Sequence, residues 1–186
     1  MSSPDPPTRD PLPKRHGPAP PGFEVRAGLA SDLDAVTRIY NHYVATSPCT
    51  FDTREFLPAE RAAWWSGFLS SGRHRAFVAV SRGELIGYAV SHAFRPRPAY
   101  DTTVETSVYC APERRHTGVG TALYERLFES LRTEDVELAV AGFTLPNAGS
   151  EALHRRFGFH PVGVFHRCGR KFDRFWDVQW NERPMR

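Results

Sequence analysis

Thr103-Val104-Glu105-Thr106-Ser107-Val108-Tyr109-Cys110, followed shortly by Arg115-His116-Thr117-Gly118-Val119-Gly120-Thr121, is the stretch whose reading decides the fold. The first part is rich in β-branched and aromatic residues and reads as a strand. After the second part, Ala122, Leu123, Leu127, Phe128 and Leu131 recur at helical spacing. Between strand and helix lies a turn with two glycines. A helix start leaves several backbone N–H groups unpaired, and the helix dipole adds partial positive charge there. Glycine lets the backbone curl closely around an anion. Thr117-Gly118-Val119-Gly120-Thr121 therefore reads as a cradle for a diphosphate, with Arg115 and His116 as nearby side-chain donors. Taken alone the turn is a weak signal, since a plain tight turn has the same pattern. No Gly-Lys-Ser/Thr follows, so it is not a Walker loop, and the third glycine of a dinucleotide fingerprint is missing.

Working outward, a first strand is expected at Phe23-Glu24-Val25-Arg26, and a helix opening at Ser31 with Asp34 in capping-box spacing. Leu33, Val36, Ile39 and Tyr40 mark that helix's buried face. A second helix begins at Pro58 and carries Trp64, Trp65, Phe68 and Leu69, with a loop at 47–52 between the two. Ala76–Val80 and Leu85–Val90 read as strands joined by a turn at Arg82-Gly83. Phe94–Tyr100 is a loop stiffened by two prolines. Downstream come a strand at Val136–Ala141, a short helix at Ser150–Phe157 stopped by Gly158, and a final strand alternating as Phe172, Arg174, Trp176, Val178, Trp180. No internal repeat is visible. The sum is a mixed α/β fold in one domain, residues 23–186. Residues 1–22 hold eight of the 16 prolines and almost nothing apolar, which predicts a disordered tail.

Composition removes several classes of function. Lys and Arg total 24 against 21 Asp and Glu, a formal net charge of +3 with no basic block, which argues against a nucleic-acid partner. The three cysteines, Cys49, Cys110 and Cys168, are far apart and show no CxxC spacing. A disulfide framework and a structural zinc site are both disfavoured, and no metal is expected. No apolar run approaches the ~18 residues that span a bilayer, so no membrane partner is expected. The N-terminal stretch lacks the apolar core of a secretion signal, and a cytoplasmic location is the default expectation.

The turn Arg115-His116-Thr117-Gly118-Val119-Gly120 matches the (Gln/Arg)-x-x-Gly-x-(Gly/Ala) acetyl-CoA motif of the GNAT superfamily of N-acetyltransferases. Asn147 and Ala152-Leu153-His154-Arg155-Arg156-Phe157-Gly158-Phe159 resemble that superfamily's second coenzyme segment. Four further segments resemble the phosphinothricin acetyltransferase family: Tyr40-Asn41-His42-Tyr43, Ser47 to Thr53, Ala99 to Tyr109, and Gly169-Arg170-Lys171-Phe172. The likeness spans residues 23–182. It implies a mixed sheet that splays between the strand at 103–110 and the one at 136–141, flanked by helices. The pantetheine arm of acetyl-CoA would lie in that gap along the backbone of Val108, Tyr109 and Cys110, with Asn147 a further contact. It also implies a homodimer.

Acetyl transfer to an amine needs a base for the ammonium, donors for the oxyanion and a leaving thiolate. Glu105 is a carboxylate in mid-strand, where a surface charge or a paired ion is the ordinary reading. The resemblance makes it the general base, and burial would raise its pKa toward working pH. His154 stands where many superfamily members have tyrosine as the acid for the thiolate. It reads as acid, base or coenzyme contact, and a histidine can donate a proton near neutral pH. The oxyanion donor is expected at the Val108 or Tyr109 backbone N–H. Arg95 and Arg97, near Tyr100, suit a carboxylate or phosphinate. A solvated basic loop is the alternative reading of these arginines. The resemblance implies that this loop, with Phe51, shapes a pocket for a small amine acceptor such as phosphinothricin, methionine sulfoximine or methionine sulfone. An acetyltransferase for protein amines and a non-catalytic acetyl-CoA-sensing module remain open alternatives. The first needs a groove for a peptide. The second keeps the cradle but has no need of Glu105 or His154.

Overall fold

A computed structural model describes residues 22–68, 70–114 and 117–186. Residues 1–21 of the expected tail, Leu69, and the anticipated anion donors Arg115 and His116 lie outside the described residues. In chain order the elements are β1 (Glu24–Ala27), α1 (Leu33–Thr46), α2 (Pro58–Ser66), β2 (Arg75–Ser81), β3 (Glu84–Ala93) and β4 (Thr103–Cys110). Then follow α3 (Val119–Leu131), β5 (Leu138–Thr144), α4 (Ala148–Arg156), β6 (His160–Lys171) and β7 (Arg174–Pro184).

The strands form one sheet in the order β1-β2-β3-β4-β5-β7-β6. Its ladders are antiparallel except between β4 and β5, which run parallel around the α3 crossover. One face buries Val36, Ile39 and Tyr43 of α1 and Trp65 of α2 against Val78, Tyr88 and Val90. The other buries Leu123, Tyr124, Leu127, Phe128 and Leu131 of α3 against Phe77, Ala89, Val104 and Ala139. Each fully buried Leu or Phe contributes about 1.5–3 kcal/mol. These two cores fix the strands between them as a rigid platform for the site.

The parallel ladder is short. Its register is Thr103↔Leu138, Val104↔Ala139 and Glu105↔Val140, and there it stops. Beyond that point β4 stays with β3 as far as Gly87↔Cys110, while β5 stays with β7 as far as Thr144↔Val178. Thr106–Cys110 and the end of β5 thus diverge, leaving a wedge through the sheet with Glu105 at its apex.

Several local expectations need correcting. Asp32, not the Ser31 and Asp34 pair, stands at the start of α1, and its side chain caps the 30–32 turn that leads into the helix. Its carboxylate accepts the Leu29 N–H at 2.7 Å and is held by both terminal nitrogens of Arg26, at 2.7 and 2.8 Å. Helix α2 ends at Ser66, yet Phe68 still packs edge-on against Trp64 and Trp65. Strand β5 begins two residues later than expected and runs to Thr144. Phe172 lies in a turn with Asp173, both at positive φ, and the preceding twelve residues form β6, a strand not anticipated. Among the described residues no helix is long and apolar enough to cross a membrane.

Candidate active site

The start of α3 closes the wide end of the wedge. Gly118 caps the helix with φ 84°, a left-handed conformation that favours glycine. It offers no side chain to the helix start, and the first intrahelical bond runs from the Ala122 N–H to the Gly118 carbonyl at 3.0 Å. The N–H groups of Val119, Gly120 and Thr121 therefore have no acceptor within the helix, which is the geometry an oxyanion ligand requires. A Cβ on Gly120 would lie 3.6–3.9 Å from Leu153, Cys110 and Val108, so helix start, β4 end and α4 converge there. The Thr117 hydroxyl is turned away, donating to the Arg114 carbonyl at 2.6 Å. Asn147 caps α4, its Oδ1 accepting the Ser150 N–H at 3.0 Å.

Val108, Tyr109 and Cys110 pair with β3 on one edge and lack β5 on the other. The Cys110 carbonyl already accepts a hydrogen bond from the Tyr43 hydroxyl at 2.5 Å. Burial pushes the Cys110 thiol up to about 11. It stays a neutral thiol at ordinary pH and is no ready nucleophile.

Glu105 is half-buried beside His92, its register partner on β3. Burial raises its carboxyl above the usual carboxylate value, while His92 and Arg95 pull it partly back. Successive pairs Glu105↔Val140 and Val140↔Glu182, with Gly142↔Trp180 two residues along, put Trp180 on the same face. Phe94 packs edge-on against both Tyr100 and Trp180, with ring centroids 5.8 and 5.9 Å apart. Tyr100 and Arg95 are thereby brought to the Glu105 side. Arg97 is exposed on the same loop, its carbonyl accepting from the Tyr100 N–H. Phe51, 37% exposed, rests against Gly169 of β6.

His154 lies on the opposite face, 5% exposed and stacked on Phe143. Its Nδ1 is 2.7 Å from the Ser150 carbonyl and must carry the proton. Its Nε2, 3.1 Å from the Tyr124 hydroxyl, is then the acceptor of a bond that Tyr124 donates. Burial lowers the imidazole to about 4. The ring is therefore neutral at pH 7 with no proton to spare for a thiolate, contrary to the expectation of a donor near neutrality. Tyr124 also reaches Thr106 Oγ1 at 3.4 Å, just past the apex. Sequence reasoning missed both Tyr124 and His92. A hydroxyl-bearing residue inside the Leu123–Leu127 stripe was the available signal for the first, and the hairpin register opposite Glu105 for the second.

The model of the Acetyltransferase (GNAT) family matches residues 36–159. The chain belongs to the GNAT acetyltransferase family. A phosphinothricin N-acetyltransferase from Streptomyces coelicolor is 47% identical over 164 residues, covering 87% of this chain and 96% of that protein. An N-acetyltransferase from Streptomyces griseus is 47% identical over 167 residues, covering 87% and 86%. Among solved structures, a GNAT superfamily phosphinothricin acetyltransferase from Sinorhizobium meliloti in complex with acetyl-CoA aligns with TM-score 0.83 at 34% identity, covering 88% of each chain. As a GNAT enzyme the chain transfers acetyl from acetyl-CoA to an amine. The wedge and the open helix start fit that co-substrate, one lined by strand backbone for an amide-bearing arm, the other by free N–H groups for a diphosphate.

Proposed function

We propose that this GNAT enzyme acetylates the α-amine of a small amino-acid-like acceptor of the phosphinothricin type, with Glu105 as general base. The observation that carries the reading is the place of Glu105. It is a half-buried carboxyl at the apex of the wedge where the thioester of acetyl-CoA must end, on the face that also presents Phe94, Tyr100 and Trp180. An acceptor amine arrives as ammonium, and Glu105 removes its proton. The raised carboxyl value brings base and substrate closer in acidity. The neutral amine attacks the thioester carbonyl. The developing oxyanion meets the backbone N–H of Val108 on the unpaired edge of β4, since the Tyr109 N–H faces β3 in the same alternation that sends the Ala111 N–H to the Ile86 carbonyl. As the tetrahedral intermediate collapses, the departing thiolate takes up the remaining surplus proton of the attacking nitrogen, so amide and coenzyme A thiol form together. The single Tyr124 proton stays committed to His154 Nε2, and neither residue acts as an acid. Arg95, within electrostatic reach of Glu105, attracts the acceptor's carboxylate or phosphinate, with Arg97 behind it on the loop.

The 47% identity to a phosphinothricin N-acetyltransferase supports this acceptor class. The stiff 94–100 loop over Glu105 favours a closed pocket over a peptide groove. Val162, Phe165, Phe172 and Phe175 are exposed on β6, β7 and their connecting turn at the sheet edge, which supports a homodimer through that face. A sedimentation measurement returning only monomer at micromolar concentration would remove the dimer. The acceptor is tested by following coenzyme A thiol release against a panel of amines including phosphinothricin, methionine sulfoximine and a lysine peptide. Turnover is expected with the amino-acid analogues. Turnover with the peptide alone would overturn the assignment.

A further inference from the structure

Phe51 is an exposed aromatic side chain on a connecting loop, yet the chain on both sides of it is pinned. Thr50 and Asp52 are both gripped by the Tyr40 hydroxyl, Oγ1 at 2.6 Å and Oδ2 at 2.5 Å. Further along, Asn41 clasps Phe56 through N–H and carbonyl at 3.0 and 2.8 Å. From β6, Lys171 reaches in to the same loop. The residue is only 5% exposed, and its ammonium donates to the carbonyls of Ser47 at 2.8 Å, Thr50 at 2.9 Å and Tyr43 at 3.4 Å. Tyr43 lies in the last turn of α1, so the charge also sits at that helix's negative end. The Lys171 carbonyl is itself held by the Trp176 indole N–H at 2.9 Å. Two residues back on the same strand, Gly169 lies under the Phe51 ring. A Cβ there would overlap three of the ring carbons, so only glycine admits the ring in this position.

A buried ammonium spent on three carbonyls is an expensive way to fix a loop, because the ion must leave water. Its effect is to tie the loop bearing Phe51 to the strand that seats the ring. Resting on the acetyltransferase reading above, we propose that Lys171 and Gly169 are positioning residues for acceptor recognition: together they set the placement of Phe51, and so the width of the acceptor pocket, from strand β6. Lys171 never touches the acceptor in this account. It acts through the 47–52 loop.

The test compares Lys171→Met, Lys171→Arg, Gly169→Ala, Phe51→Ala and the double variant Phe51→Ala/Gly169→Ala in steady-state kinetics with the best amine of the panel. Lys171→Met and Gly169→Ala should each raise the acceptor KM about tenfold or more, with the acetyl-CoA KM unchanged. Lys171→Arg, keeping charge and donors, should recover part of the loss. The decisive comparison is the double variant. Once the ring is gone, an alanine at 169 has nothing to displace, so the double should match Phe51→Ala alone. Additive effects, or equal rises in both KM values, would overturn the proposal. If Phe51→Ala leaves the acceptor KM untouched, Phe51 is not in the pocket, and the role in recognition fails with it. Amide hydrogen exchange at 49–52 gives a readout that needs no turnover. Faster exchange in Lys171→Met and Gly169→Ala supports the clamp, and wild-type rates refute it. A wild type that acetylates no amine at all defeats the acetyltransferase reading and the recognition role, while exchange still judges the clamp.

Discussion

Lowering the pH should destabilise this enzyme through His154 more than through an ordinary surface histidine. The imidazole is buried, stacked on Phe143 and bonded through both nitrogens. Its folded-state value lies near 4, against 6.5 for the free side chain. Because the folded value is the lower, unfolding takes up a proton between those limits. The stability associated with the neutral ring is fully present above about pH 6.5 and is lost as the pH falls toward 4. At about 1.36 kcal/mol per pH unit, the gap from 6.5 to about 4 corresponds to about 3 kcal/mol. The assay is urea unfolding at intervals from pH 7.5 to pH ~4, on wild type and His154→Gln. The variant starts less stable, since it loses the fitted ring, so the slopes are compared rather than the levels. Glu105 works in the opposite sense, its raised carboxyl value relieving strain in acid, and it is common to both proteins. Wild type should lose about 3 kcal/mol more than the variant across the window. Parallel curves would refute the buried neutral imidazole and reopen His154 as a proton donor near neutrality.

Glu105→Gln keeps the shape of the site and removes the base, so kcat should fall about 10²-fold or more while acetyl-CoA affinity by calorimetry stays level. Unchanged turnover would remove Glu105 from the mechanism. Tyr124→Phe leaves the buried His154 Nε2 without its donor, which should cost about 1–3 kcal/mol in unfolding free energy with kcat little changed. A fall in kcat of about 10²-fold in Tyr124→Phe would instead make that hydroxyl the acid for the thiolate. Gly118→Ala forces a Cβ into a backbone at φ 84°, which should cost about 1 kcal/mol in unfolding free energy and weaken acetyl-CoA binding by distorting the helix start. Wild-type affinity in that variant would remove the α3 start from the coenzyme site.

The parts of the fold legible in the chain were those where local chemistry and burial agree. Thr103–Cys110 reads as a strand and is one, because Val104, Thr106 and Val108 face α3 while Glu105 and Tyr109 face α1. Pro58 and Gly158 marked a helix start and a helix stop, and Gly158 sits at φ 76°. Strand β6 stayed hidden because most of it is exposed, so no apolar alternation is imposed on it, and its register is broken near Pro161–Gly163 and Phe165–Gly169. Asp32 was overlooked as the cap because its partner Arg26 arrives from another element. The candidate site divides the same way. Glu105 and the glycines announce themselves by residue type. The protonation of His154 depends on the Ser150 carbonyl and the Tyr124 hydroxyl, which only the packing of α4 on α3 brings to it.

The early end of the β4/β5 ladder carries a thermodynamic consequence. A sheet interrupted in its interior has two surplus rims, whose amides and carbonyls a folded protein ordinarily satisfies or shields. A guest with its own peptide-like linkages, laid between those rims, completes the sheet as an eighth strand would. Binding the donor substrate then also satisfies those rims, so acetyl-CoA should raise the unfolding temperature of this acetyltransferase by mass action.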